Sequence, residues 1–387
     1  MSDIGAAGGA PAGNRPPRVF RVVDTGLRDG RRHMALDQAM LDARNEGVIP
    51  DTIRFLRFPP TALIGRHQAR AREVKLDYCR ANGIGVGRRI TGGGAIYFDE
   101  GQLGWELVFA RSTLSIGSLA DLARAICEAA AAGLSRLGVD ARYRPRNDIE
   151  VGGRKLSGTG GFFEGDTLFY QGTVLVDLDP TRMVAALKVA EAKLAKRALD
   201  SAAQRVVTLQ ELLGTAPAIA DVQAALLEGF AERLGITPVP GTLTAHEEAL
   251  AARYHDEEIG TEAFVASIDD PDSREGVGSA SVTGAGGTLT AYARLDGTHD
   301  APVRDLLVTG DFFVTPPRTV FDLESALRGV PARDAGAAVE RFFAQATVGL
   351  LSVSPGEFRR AIEGAIAAAG GPAPDGTDSG EPRGPSA

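Results

Sequence analysis

The chain has 387 residues, a length that fits two or three domains better than one. With 44% hydrophobic and 24% charged residues it can bury a core along most of its length. Its net charge of −8 argues against a nucleic-acid protein held by a bulk positive field, and no apolar run approaches the roughly twenty residues of a membrane span.

In chain order, residues 1–17 are mostly Gly, Ala and Pro and read as a solvated tail. They have no apolar h-region, so no secretory signal is expected and a cytoplasmic setting is the default. A first block, 18–237, opens with a short extended run at Val19–Val23 and a helical pattern over Met34–Arg44. Strands are predicted at Thr52–Arg57, Thr61–Gly65, around Arg89–Phe98 and at Gly104–Phe109. Leu119, Leu122, Ala123, Ile126, Ala130, Leu134 and Leu137 recur at helical spacing. Further strands are predicted at Asp148–Val151, Lys155–Gly158 and Thr173–Asp177, and helices near Pro180–Leu187, Gln210–Leu213 and Ala220–Leu234. Strands and helices mix without a βαβ rhythm, so the predicted class is α+β with a mainly antiparallel or mixed sheet.

Residues 238–245, opening PVPGT, read as a linker. Beyond a polar stretch, Ala245–Asp270, a hairpin is predicted from Val277–Val282 and Thr288–Leu295, then a strand at Val303–Val308. Helical patterns follow at Phe321–Leu327, Ala335–Ala346 and Pro355–Ala369. Residues 246–370 therefore read as a smaller α+β domain, and 371–387 as a second solvated tail. Cys79 and Cys127 make no disulfide framework or zinc site, and both read as buried small hydrophobes.

Two segments carry chemical signals. Arg88–Asp99 (RRITGGGAIYFD) sets three glycines after a basic pair, leaving backbone N–H groups free for close approach to a ligand. Arg88 and Arg89 have the fork geometry for phosphate or carboxylate; a plain hairpin with solvated arginines fits the same residues. It is neither a Walker loop nor a dinucleotide fingerprint. In Arg146–Asp179, Lys155 sits inside a glycine-rich β segment, either as a point charge for an anionic ligand or as an edge-strand lysine. Asn147–Asp148 fits a turn pair or a polar donor beside a metal or amine ligand.

Together, RRxxGGGAxYxD, RND and GRKxSGxxG in one block resemble the lipoate–protein ligase A family, within the biotin and lipoate ligases and octanoyltransferases. LIGRHQ at Leu63–Gln68, KLAKRALDSAAQRVVTL at Lys193–Leu209 and GDFF at Gly310–Phe313 extend the likeness over nearly all of Val19–Ala369. The resemblance implies ATP-dependent activation of lipoate as lipoyl-adenylate, then transfer to a lysine of a lipoyl-domain protein. The 2-oxoacid dehydrogenase E2 subunits and the glycine cleavage H protein are such carriers. It implies a backbone cradle and adenine-side wall from Gly93, Gly94, Ala95, Ile96 and Tyr97, and nucleotide contact by Arg89. Lys155 would touch the acyl carbonyl and the adenylate phosphate, with Arg89 and Gly158 also on the lipoate side. Asn147 and Asp148 would lie by the phosphate, with Asp148 holding Mg²⁺ or receiving the amine. Gln102 falls on a polar family position, Leu107, Phe109 and Ile64 would line the acyl slot, and His67 would line the site. The small domain would change orientation about a pivot at Pro238–Gly241, and a monomer is expected.

Phe98 and Gln171 stand where the family commonly has His, and GTGG at Gly158–Gly161 replaces GSA, implying a roomier or more mobile wall. An octanoyltransferase of this pattern uses a nucleophilic cysteine just upstream of the lysine segment, and Arg142–Glu150 has none. The GRGRxxR-like loop of biotin ligases is also missing. A non-catalytic lipoyl or nucleotide carrier is disfavoured by the intact set of Arg89, triple glycine, Asn147–Asp148 and Lys155. His33, His246, His255 and His299 read as surface residues.

Overall fold

The structure, a computed structural model, describes residues 17–145, 147–188, 205–271, 276–284, 286–297, 300–350 and 352–370. Both predicted tails (apart from Pro17), Arg146, His299 and most of Lys193–Leu209 lie outside the described residues.

Alternating apolar residues build the strands β1 (Arg18–Leu27), β2 (Thr52–Arg57), β3 (Thr61–Ile64), β4 (Gly85–Arg88), β5 (Ile96–Phe98), β6 (Gln102–Ala110), β7 (Arg142–Arg144), β8 (Asp148–Val151), β9 (Arg154–Glu164), β10 (Thr167–Leu175) and β11 (Ile236–Pro240). Eight of them form one sheet in the order β11-β1-β2-β6-β10-β9-β8-β7, and β4-β3-β5 forms a second. In the large sheet β1 runs parallel to β2 and β11, and every other pairing is antiparallel. The α+β reading with a mainly antiparallel, mixed sheet holds. Central β6 is buried along its whole length because both sheet faces are covered. Leu103, Trp105, Leu107 and Phe109 face one core beneath helices Leu119–Ser135 and Ile219–Leu234. Val108 faces the other, beneath helix Gly30–Asn45.

The domain boundary moves. Residues 238–245 are not a linker, because Ile236–Pro240 is the edge strand β11, in register with Arg18–Val22. Its prolines are tolerated there because an edge strand can leave one row of N–H positions unpaired. The stretch read as polar contains helix Ala245–Glu257, which lies against helix Gly30–Asn45. Thr244 and Glu247 cap it reciprocally, and Glu247 is also ion-paired with Arg21 at 2.6 Å. No pivot at Pro238–Gly241 is available while those residues are paired in the sheet.

The small domain begins past residue 271. Strands β12 (Gly278–Gly284), β13 (Gly287–Leu295) and β14 (Val303–Gly310) form an antiparallel sheet in that order. Helices Thr319–Leu327, Ala335–Gln345 and Pro355–Ala368 enclose its own core around Val308, Phe312, Leu323 and Phe358. This domain is seated on the large one. Gly93 N donates to Phe312 O at 3.0 Å, Gly310 N to His67 O at 3.1 Å, and Phe163 N to Thr315 Oγ1 at 2.7 Å. Among the described residues no helix is long and apolar enough to cross a membrane.

Candidate active site

A cavity of about 530 Å³ opens where the Gly92–Gly94 loop, β9, β10 and the small domain meet. Its floor is the large-sheet face beneath helix Gly30–Asn45. There the register sets Arg54 opposite Glu106, Glu106 opposite Gln171, and Gln171 opposite Gly160.

The glycine loop joins β4 to β5, and its arginines serve the loop rather than reaching out of it. Arg88 is 0% exposed. Its guanidinium donates to the carbonyls of Gly65, Arg66 and Gln68 on one side and Val265 and Ile268 on the other. Arg89, 3% exposed, donates to Leu63 O, Gly92 O and Gly94 O at 2.7–3.1 Å. Burial lowers their pKa values to about 9 and about 10, leaving both charged at neutral pH. Bidentate ligand contacts are thus corrected for both arginines, and so is the solvated hairpin. The N–H groups satisfy carbonyls that would otherwise be buried without partners. Arg89 does line the cavity, but as the brace of the loop.

Gly93, at φ +88°, lies under the ring of Phe313, which a Cβ would meet at 2.6 Å. A Cβ on Gly160 would meet the same ring at 2.2 Å. The wall beside GTGG is therefore filled by the small domain, not roomier. Gly94, Ala95, Ile96 and Phe98 line the cavity. Tyr97 does not, because strand alternation turns its side chain to a cluster with Ala62, Ile64 and Val74.

Lys155 is the second residue of β9, paired with Glu150 of β8. Its Nζ is 2.8 Å from Asp148 Oδ1, and Arg144 Nη2 is 2.5 Å from Asp148 Oδ2. The lysine folds back over Gly158, where a Cβ would lie 2.6 Å from its Cε and 2.7 Å from its Nζ. Its carbonyl accepts from Val207 N at 2.9 Å, so the described end of the RVVTL segment holds this strand. Burial pushes the Asp148 carboxyl up, but Lys155 and Arg144 more than offset this and hold it below its ordinary range. Asn147 is clamped to Thr159: its Nδ2 donates to Thr159 O at 2.8 Å, and its carbonyl accepts from Thr159 N and Oγ1. Among the described residues no three His, Cys, Asp or Glu side chains surround a common point. With Asp148 already shared by two cations, the residues do not form a protein-built Mg²⁺ site.

The cavity's apolar end is Met34, Leu56, Phe58, Leu63 and Phe98. Leu107 and Phe109 face the opposite core, and Ile64 points away with Tyr97, so none of the three lines the cavity. Gln102 is buried, donating to Tyr97 O at 3.1 Å. His67 is buried behind the loop, stacked on Phe312 with ring centroids 5.4 Å apart, not in the cavity. His33 is no surface residue: it sits at 0% exposure beside Arg54. The residues that sequence reading missed are Glu106 with its partners Arg54 and Asp37, and Phe313 from the small domain. Charged Arg54 and Glu106 inside apolar strands were a readable signal, since both fall on inward positions.

This arrangement is a cleft with a glycine loop, one approachable ammonium and an apolar chamber, the anatomy of an acyl-activating or acyl-transferring enzyme. Residues 29–231 match the lipoyl protein ligase A/B catalytic domain, and the chain belongs to that family. Octanoyltransferase LipM of Symbiobacterium thermophilum is 33% identical, over 59% of this chain and 91% of that protein. Lipoate-protein ligase A subunit 1 of Thermoplasma acidophilum is 32% identical, over 60% and 91%. A chain from the archaeal lipoylation system of T. acidophilum, described as a bi-partite lipoate protein ligase and its E2 lipoyl domain, matches at TM-score 0.59 and 28% identity. It covers 66% of this chain and 100% of its own. A lipoate-protein ligase A bound with ATP matches at TM-score 0.57 and 28% identity, covering 65% of this chain and 99% of its own. The chain is an enzyme of the lipoate ligase and octanoyltransferase family.

Proposed function

We propose that the protein is an ATP-dependent lipoate–protein ligase. The observation that carries this reading is an approachable ammonium, Lys155, at a glycine-lined cavity with no thiol in it. Cys79 and Cys127 are buried outside the cavity, and burial raises the pKa of both thiols, which opposes thiolate formation. A thioester route lacks its nucleophile here, whereas an adenylate route needs none. The ATP-bound relative supports the nucleotide assignment, and the Thermoplasma system supports a lipoyl domain as acceptor.

In the first half-reaction a lipoate carboxylate oxygen attacks the α-phosphorus of ATP. The bond from that phosphorus to the bridging oxygen breaks, and pyrophosphate leaves. In the second, the neutral ε-amine of a carrier lysine attacks the acyl carbon. The anhydride C–O bond breaks, AMP leaves, and the new amide nitrogen gives its extra proton to solvent water. Lys155 would release Asp148 to meet the charge gathering on the acyl and phosphate oxygens. Asp148, still held by Arg144, would receive the incoming amine. Gly94, Ala95 and Ile96 would present backbone to the nucleotide, the Gly93 N–H being committed to Phe312 O, and Phe313 would keep water from the anhydride. E2 subunits or an H protein are the proposed carriers.

Mass spectrometry of an apo lipoyl domain after incubation with ATP, Mg²⁺ and lipoate tests this, paired with lipoate-dependent ATP–pyrophosphate exchange. The second reading, octanoyl transfer, is favoured by the naming of LipM relatives. Acylation from an octanoyl thioester donor without ATP, and no exchange with any acid, would select it instead.

A further inference from the structure

Beneath the cavity lies a charged cluster that the steps above do not use. Glu106, 2% exposed, lines the cavity floor. Its Oε2 is 3.2 Å from Arg54 Nε yet finds no well-oriented hydrogen bond. Arg54 Nη2 is 2.9 Å from Asp37 Oδ1 and donates to His33 Nδ1 at 3.3 Å. His33 donates in turn from Nε2 to Arg57 O at 2.8 Å, and burial holds that ring neutral. One guanidinium thus serves two buried carboxyls that also hydrogen-bond each other, and burial raises both, Glu106 well above the usual carboxylate range. Its neighbour across the strand pair, Gln171, has its amide nitrogen committed to Thr91 Oγ1 at 2.8 Å.

Position matters as much as charge. Lys155 folds over Gly158, two residues from Gly160, and Glu106 lies two strands across the sheet from Gly160. Two strand spacings are about 10 Å. An acyl chain with its carboxyl at Lys155 would bring its far end to Glu106. The wall there is soft and aromatic: Met34, with Phe58 and Phe98 whose ring centroids are 4.4 Å apart.

We propose that Glu106, braced by Arg54 and Asp37, determines acyl specificity, so that the cavity takes a chain with a sulfur-bearing end, such as a dithiolane, over an equally long hydrocarbon. A hydrocarbon end would cover the cavity side of this carboxyl, which shares one guanidinium with Asp37, and offer it nothing. A sulfur atom is more polarizable than a methylene and makes favourable contacts with aromatic edges and methionine. This rests on the ligase reading only for the class of substrate.

The test is calorimetric binding of lipoate and octanoate to the full chain, comparing wild type, Glu106→Leu and Glu106→Gln. Wild type is expected to favour lipoate by about tenfold or more, and Glu106→Gln to keep most of that ratio. Glu106→Leu should shrink the ratio to about threefold or less, mainly by tighter octanoate binding. It leaves Asp37 and Arg54 as a one-to-one pair, so folding should survive, and a thermal melt checks this. A wild-type ratio near one, no binding of either acid, an unchanged ratio in Glu106→Leu, or its loss in Glu106→Gln would each overturn the proposal. ATP–pyrophosphate exchange run in parallel separates the two readings. A preserved binding ratio with no exchange would sink the ligase assignment alone.

Discussion

The Gly92–Gly94 loop and the Asn147–Thr159 hairpin look alike in sequence, both glycine-rich and both flanked by basic residues. In the fold they differ in where the charge goes. Arg88 and Arg89 are buried, and their N–H groups are bound to backbone carbonyls on neighbouring segments. The Lys155 side chain is 38% exposed and held by a carboxylate that a ligand can replace. A cation enclosed by fixed carbonyls is structure; a cation at a cavity mouth, in exchange with solvent, is available for chemistry.

Predicted variants test that contrast. Lys155→Ala should cut lipoate-dependent ATP–pyrophosphate exchange by about 10²–10³-fold, roughly 3–4 kcal/mol of transition-state stabilisation. Its melting temperature should stay close to wild type, and near-normal exchange would remove Lys155 from the mechanism. Arg88→Ala should show the reverse profile, losing roughly 3–5 kcal/mol of stability to chemical denaturation because several buried carbonyls lose their donor. A stable Arg88→Ala protein that binds ATP poorly would break the contrast.

Acid should act through the scaffold side. His67 is buried between the domains, and its pKa is lowered from 6.5 to about 3 by burial and then by Arg66 and Arg88. A base with a depressed folded pKa contributes stability that is present above pH 6.5 and is lost as pH falls toward 3. By pH 5 the loss is about 2 kcal/mol for such a group, and His33, lowered to about 3 as well, adds to it. Urea titrations at pH 7 and pH 5 should therefore differ more for wild type than for His67→Phe. Equal differences would show that His67 is accessible to solvent or already paired. The smallest effect is expected of Cys79→Ser combined with Cys127→Ser, which should keep transfer within about twofold. Serine at 127 can retain the contacts that Cys127 Sγ makes at 3.2 Å to Thr159 Oγ1 and 3.3 Å to Tyr170 OH. A folded double variant without transfer, with acyl-enzyme trapped in wild type, would rule out the ligase reading.

Strand and helix positions were legible wherever one face is apolar. Thr52–Arg57, Asp148–Val151 and the helix from Leu119 appear where their periodicity predicts. Helix Ala245–Glu257 was missed because its core contact is slight, with only Glu247 and Ala251 buried. Its start was nonetheless written in the Thr244–Glu247 capping pair. The linker reading of PVPGT failed because proline and glycine mark turns in isolation but also suit an edge strand.

Sequence alone determined the family, the two α+β domains and the meeting of glycine loop, Asn147–Asp148 and Lys155, because local pattern and motif order survive without coordinates. It also determined that the Arg142–Glu150 stretch holds no thiol. Only the tertiary structure decided which of those residues face the cavity. Strand alternation alone leaves open which sheet face is covered by which helix, so Leu107 and Phe109 were assigned to the wrong side. Whether an arginine meets a ligand or a carbonyl depends on segments far away in sequence, here Val265 and Ile268 for Arg88. The placement of Phe313 against Gly93 and Gly160, and of Glu106 over Arg54, arises only when distant elements close on one another, because side-chain contact is set by packing in three dimensions and not by order along the chain.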